Sequence, residues 1–170
     1  MRASGSDVLK GALAGAAAGL VASLVMNQFQ GLWSKMAEAQ SGGDDEDEGS
    51  DEEPATTKAA DMAAEIATGE PVPEPLRKFA DPVVHYSTGA VVGAVYGALA
   101  EMWPGVTKGG GAAYGGLVAI GLDEGVVPAL GLGPGPLETP PSTHLYGLSS
   151  HVVFGWALEA VRRFVRPAFD

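Results

Sequence analysis

Asp123 and Glu124 stand side by side in AAYGGLVAIGLDEGVVPALGLGPGP, a stretch from Ala112 to Pro136 that is otherwise mostly glycine and aliphatic. Adjacent carboxylates can mark a surface turn, an acid–base pair, or charges held inside a membrane. Three histidines could serve them: His85, His144 and His151. Imidazole titrates near neutral pH, so a histidine beside a carboxylate can pass protons between water and a buried group. Two imidazoles and a carboxylate can also bind a divalent metal, and His85, His151 and Asp123 are the candidate set. No H-x-x-x-H or H-E-x-x-H spacing supports the metal, and no other cofactor is implied. Polar side chains can equally act as hydrogen-bonding glue between helices, at ~1 kcal/mol each.

The elements that must position these groups follow from the charge pattern. Residues 36–81 hold 14 of the 21 acids against three bases, so the net charge of −11 belongs to that segment alone. No basic stripe exists to neutralise phosphates, which argues against nucleic acid as a partner. With no cysteine, disulfides and thiolate chemistry are excluded.

Outside the acidic segment lie four long runs that are almost free of charge. Lys10 and Lys35 bracket 24 uncharged residues; Pro82–Ala100 gives 19 and Thr139–Leu158 gives 20. Gly109–Leu137 is broken only by Asp123 and Glu124. A spanning helix needs ~20 mostly apolar residues for a ~30 Å hydrocarbon core, whereas a soluble bundle needs a polar face on each helix. The expected fold is an all-α integral membrane four-helix bundle, a single membrane domain over 1–170 with the lipid bilayer as its partner. Its spans fall near 9–35, 82–103, 109–131 and 142–166. The first reads as a retained anchor, because its apolar run far exceeds the 7–15 residues of a signal peptide.

Arg2, Lys10, Lys108, Arg162, Arg163 and Arg166 flank helix ends on one side of this arrangement. By the positive-inside rule that side is cytoplasmic, with both termini there. The acidic loop 36–81 is then extracytoplasmic. Its run SGGDDEDEGSDEEP should be disordered. ATTKAADMAAEIATG has the apolar spacing of a short interfacial helix, and EPVPEPLRKFADP reads as an extended lead into the second span.

At 1.5 Å per residue, Asp123 lies ~12 Å and His151 ~13 Å from the outer ends of their spans. Asn27 sits ~10 Å in on the first span, and His85 opens the second. Asp123 is expected to face the bundle beside His151. A helix turns 100° per residue, so Glu124 should point to a neighbouring groove or an outer wet cavity. At the inner end, Glu101 precedes Trp103 and Pro104, while Glu159 stands four residues before Arg163, the spacing of a helical ion pair.

Gly11, Gly15 and Gly19 repeat every four residues, as do Gly89, Gly93 and Gly97; Gly111 with Gly115 and Gly121 with Gly125 share the spacing. Each set lines one helix face and lets a second backbone approach closely in lipid. The second backbone could belong to this chain, to another copy in a homo-oligomer, or to a membrane-protein partner. None of the glycine-rich stretches has phosphate-loop spacing.

HYSTGAVVGAVYGALAEMWP and HVVFGWALEAVRRFVR resemble the YagU-like family of bacterial inner-membrane proteins, a domain of unknown function. The likeness rests on His85, Glu101, Pro104, Pro128, His151, Trp156, Glu159, Arg162 and Arg163, closely over 82–166 and loosely over 8–35. It implies a multi-pass protein of the cytoplasmic membrane linked to acid tolerance, and supplies no catalytic or binding residues. Departures are the more acidic first loop and Asp123, where the family pattern leads one to expect another histidine. The leading expectation is a non-enzymatic protein whose intramembrane site (His85, Asp123, Glu124, His151, Asn27) handles protons or ions in acid and envelope homeostasis. A membrane metalloenzyme and an accessory or scaffold subunit are the alternatives.

Overall fold

Helix formation starts at a reciprocal cap. The Ser4 hydroxyl and amide both donate to Asp7 Oδ2, at 2.7 and 2.9 Å, and the Asp7 amide returns a 3.2 Å bond to Ser4 Oγ. That satisfies donors the first helical turn leaves orphaned. From there an alanine-rich sequence with no proline runs as α1 over Gly5–Ser41. Its 37 residues reach ~55 Å, well beyond a ~30 Å apolar layer. In this computed structural model the described residues are 3–41 and 53–169. Most of the acidic run expected to be disordered falls at 42–52, outside them.

α2 follows at Ala55–Thr68 and ends on Gly69, whose φ of 84° takes the left-handed cap position and returns its amide to Glu65 O at 2.9 Å. The segment read as an extended lead contains one helical turn at Glu74–Arg77, with Pro75 in its first turn, where a missing N–H costs nothing. α3 runs over Ala80–Met102. It stops because Trp103 precedes Pro104 and is forced out of the helical region, to φ −140° and ψ 84°.

Three successive glycines, Gly109, Gly110 and Gly111, all with positive φ, reverse the chain into α4. α4 begins as an α-helix at Ala112–Val118, widens to a π-helix over Ala119–Val126, and closes with an α turn at Val127–Ala129. Pro128 accounts for the widening: it has no N–H for an upstream carbonyl, and its ring crowds the carbonyl four residues back. Gly121 and Gly125 make the distortion easier. α5, at Pro141–Val165, starts with Pro141 in its first turn. Past it, Arg166–Phe169 forms a 3₁₀ turn that contains Pro167.

The chain is all-helical, with no strand among the described residues. α1 packs along α3 and α5, α4 lies on α5, and α2 rests on α3. The α1–α3 seam is backbone against backbone. A Cβ added at Gly15 would strike Gly93 O, one at Gly19 would strike Gly89 O, and one at Gly97 would strike Gly11 O. α4 and α5 repeat the arrangement, with Gly111 against Gly155 O and Gly115 against His151 O. The Gly11–Gly19, Gly89–Gly97 and Gly111–Gly115 faces are thus filled within the chain, whereas a Cβ at Gly121 would meet nothing within 4 Å.

Among the described residues two helices are long and apolar enough to cross a membrane, within Gly5–Ala39 and Ala80–Met102. The helices formed by the third and fourth runs are not among them, although their uncharged lengths suggested it. α4 is interrupted by its π segment, and α5 carries serine, threonine and two histidines in its first half.

Candidate polar cavity and inner ion-pair cluster

The antiparallel course of the helices brings four polar segments together at one end: the far half of α1, the start of α3, the π segment of α4 and the start of α5. They surround a cavity of about 690 Å³ whose wall includes His85, Asp123, Glu124 and His151. The start of α2 forms part of the same wall. α2 is tied down by Thr56 Oγ1 donating to Asp81 Oδ1, and by Arg77, which pairs with Glu53 and lies 3.2 Å from Asp61. The Glu53 carboxylate raises the Arg77 guanidinium pKa above its ordinary value, keeping that clamp charged.

Two carboxylate–imidazole pairs connect α4 to α5. His151 Nδ1 lies 3.3 Å from Asp123 Oδ2 and 3.0 Å from Gly147 O. A carbonyl can only accept, so Nδ1 carries the hydrogen and Nε2 is the basic nitrogen of the neutral ring. His144 Nδ1 lies 2.6 Å from Glu124 Oε1, and its Nε2 is 3.0 Å from Pro136 O. By the same reasoning Nε2 is protonated, so the short contact to Glu124 holds a further proton, on the imidazole or on the acid.

The expected Asp123–His151 neighbours thus meet. Glu124 lies on the cavity wall, one of its two expected positions, and reaches α5 through His144, a partner that was not expected. In a π turn adjacent residues diverge less than the 100° of an α-helix, because hydrogen bonds close five residues apart. His144 takes Glu124 from a position two α5 turns before His151. That pairing was not drawn from the sequence, though the seven-residue spacing of the two histidines was its available signal.

His85 lines the cavity, but its Nε2 is buried without a hydrogen-bond partner among the described residues. Its ring stacks edge-on against Tyr86, whose hydroxyl accepts from Asn27 Nδ2 at 3.3 Å. Asn27 therefore joins α1 to α3 and not to the acids. Among the described residues no three His, Asp or Glu side chains converge in a way that could hold a metal ion, so His85, His151 and Asp123 do not form a ligand set.

The opposite end holds a second cluster. Glu159, only 2% exposed, accepts from Tyr96 Oη at 3.0 Å, from Arg162 at 2.8 and 3.1 Å, and from Arg163 Nε at 2.5 Å. The helical spacing announced the Glu159–Arg163 pair. Tyr96 and Arg162 come from packing. Glu101 sits apart from Glu159 and pairs with Arg166 across α3 and the terminal turn, at 2.7 Å.

An all-helical chain with two helices able to cross a membrane, a polar cavity at one end and an ion-pair cluster at the other defines the class. Residues 74–160 match the family model for proteins of unknown function DUF1440, and the chain belongs to that family. No curated protein and no solved structure matches.

Proposed function

We propose that this is a small, non-enzymatic, multi-pass protein of the bacterial cytoplasmic membrane, a single membrane domain that binds and releases protons at the Asp123–His151 and Glu124–His144 pairs. The membrane reading is supported by which residues are inside. The face that α1 turns inward is built mostly of small residues, Ala14, Ala18, Ala22 and Ser23, around the few large core side chains Tyr96, Phe154 and Leu158, while Leu9, Leu20, Leu24, Val91, Leu117 and Ile120 face outward. In water, burying the large apolar groups would be worth roughly 25 cal/mol per Å², and this arrangement forgoes it. Lipid removes that incentive and favours small residues at helix contacts.

Beside the two apolar helices, we read the less apolar α4 and α5 as completing four spans near 9–35, 82–103, 109–131 and 142–166, with the basic end cytoplasmic. α2 lies on the outer face, and the cavity occupies the outer half. Ionisable groups at such depth are expensive, and they concentrate in proton and ion pathways. The observation that carries the proton reading is that two carboxylate–imidazole pairs join the same two helices, with both acids on one cavity wall. The YagU-like resemblance adds acid and envelope homeostasis as the physiological setting.

The test is an NMR titration of the labelled histidine rings in lipid nanodiscs, paired with acid survival of cells carrying each variant. Asp123→Asn should displace the His151 titration and lower survival. An unchanged His151 titration together with normal survival would refute the reading.

A further inference from the structure

We infer that the outer cavity is a binding site for an amphiphilic primary amine, held as its ammonium ion by Asp123 and His151 with its apolar body against the deeper wall. The inference rests on the proposed membrane placement and on the same two residues, but it concerns a ligand where that reading concerns protons.

The volume of about 690 Å³ lies within the ~300–1,000 Å³ range of small-molecule sites. Much of the wall is apolar, with Met26, Val92, Leu122 and Phe154 contributing. A ligand must therefore bring a hydrocarbon body.

Its polar end is set by what the wall offers. Asp123 keeps 43% of its side chain exposed despite the His151 contact, so a carboxylate oxygen remains available to an occupant. His151 commits Nδ1 to Gly147 O and Asp123, and Nε2 has no protein partner among the described residues. In the neutral ring Nε2 is an acceptor. Both groups accept, so a matching ligand donates. Charge points the same way: of the acids on the wall, Glu53 is paired with Arg77 and Glu124 with His144, which leaves Asp123 as the carboxylate open to a cation. Primary ammonium supplies a positive charge and three N–H donors. An alcohol supplies a donor without the charge, a quaternary ammonium supplies the charge without donors, and an anion meets repelling carboxylates.

The experiment uses the full chain in lipid nanodiscs with labelled histidine at neutral pH, titrated with 1-aminoadamantane. The amine should shift the His151 ring resonances saturably. The 1-adamantyl alcohol and the N,N,N-trimethyl ammonium analogue should bind at least tenfold more weakly. Asp123→Asn should weaken the amine tenfold or more. Thr88→Phe, which narrows the cavity from α3 without touching the acids, should weaken it as well while preserving the His151 titration. Equal affinity for alcohol and amine, or amine binding indifferent to Asp123→Asn, overturns the site. If no saturable shift occurs while Asp123→Asn still displaces the His151 titration, the amine site is wrong and the proton reading stands. Saturable amine binding with a titration unmoved by Asp123→Asn would instead uphold the amine site and overturn the proton reading.

Discussion

The Tyr96 hydroxyl donates to Glu159 at 3.0 Å, and neither residue is reached by solvent: Tyr96 is 0% and Glu159 2% exposed. One carboxylate thereby joins α3 to α5 while neutralising Arg162, whose guanidinium lies 5.9 Å over the Tyr96 ring. Breaking a buried pair from one side leaves the other charge uncompensated, at about 3–5 kcal/mol. Glu159→Ala should therefore lower stability by roughly that amount. Tyr96→Phe should cost about 1 kcal/mol, the worth of one hydrogen bond. Arg163→Ala should change little, since that side chain is 64% exposed. Denaturation in detergent reads the order, and an Arg163→Ala loss as large as that of Glu159→Ala would contradict it.

The α1–α3 seam predicts a sharp positional contrast. A Cβ at Gly93 would collide with Gly15 O and Gly19 Cα, so Gly93→Leu must push two backbones apart. Overpacking of this kind costs roughly 1–3 kcal/mol or more. Val91→Leu, at a position 64% exposed, should leave the melting temperature near that of the parent. Equal melting temperatures for the two variants would deny the seam its structural weight.

The proposed orientation is checked by reporter fusions. The start of α1 lies beside Glu101 at the end of α3, and Arg166 pairs with that same residue, so both described ends of the chain share one end of the helix packing. Fusions after residue 138 should report an outside location, and fusions after residue 108 a cytoplasmic one. An inside signal at 138 would reverse the assignment.

The α1 cap gives a pH prediction of definite sign. Bonds from the Ser4 hydroxyl and amide lower the Asp7 pKa below its ordinary 3.8. A depressed folded value means the stabilisation is fully present above the unfolded pKa and is lost as pH falls through the folded one. Protection of the first-turn amides of α1, taken relative to their intrinsic exchange rates, should therefore stay level through neutrality and fall only in strong acid. Ser4→Ala should move the Asp7 titration up toward 3.8. A titration unmoved by that variant would show that Ser4 does not hold the carboxylate.

Much of the helical frame is written locally. The ends of α3 and α5 follow from Pro104, Pro141 and Pro167, and α2 from its apolar spacing, because proline and side-chain periodicity act over one or two turns. The Glu159–Arg163 pair is local for the same reason. Four-residue glycine spacing likewise announces a smooth face. That Gly11, Gly15 and Gly19 meet Gly97, Gly93 and Gly89 depends on how distant helices dock. The site needed more than spacing. A regular 100° step turns Asp123 and Glu124 apart; the π segment before Pro128 narrows that step, and both acids reach α5. Sequence periodicity cannot register that change, because a hydrogen bond shifted from four to five residues leaves the order of side chains untouched while altering the direction in which each one points.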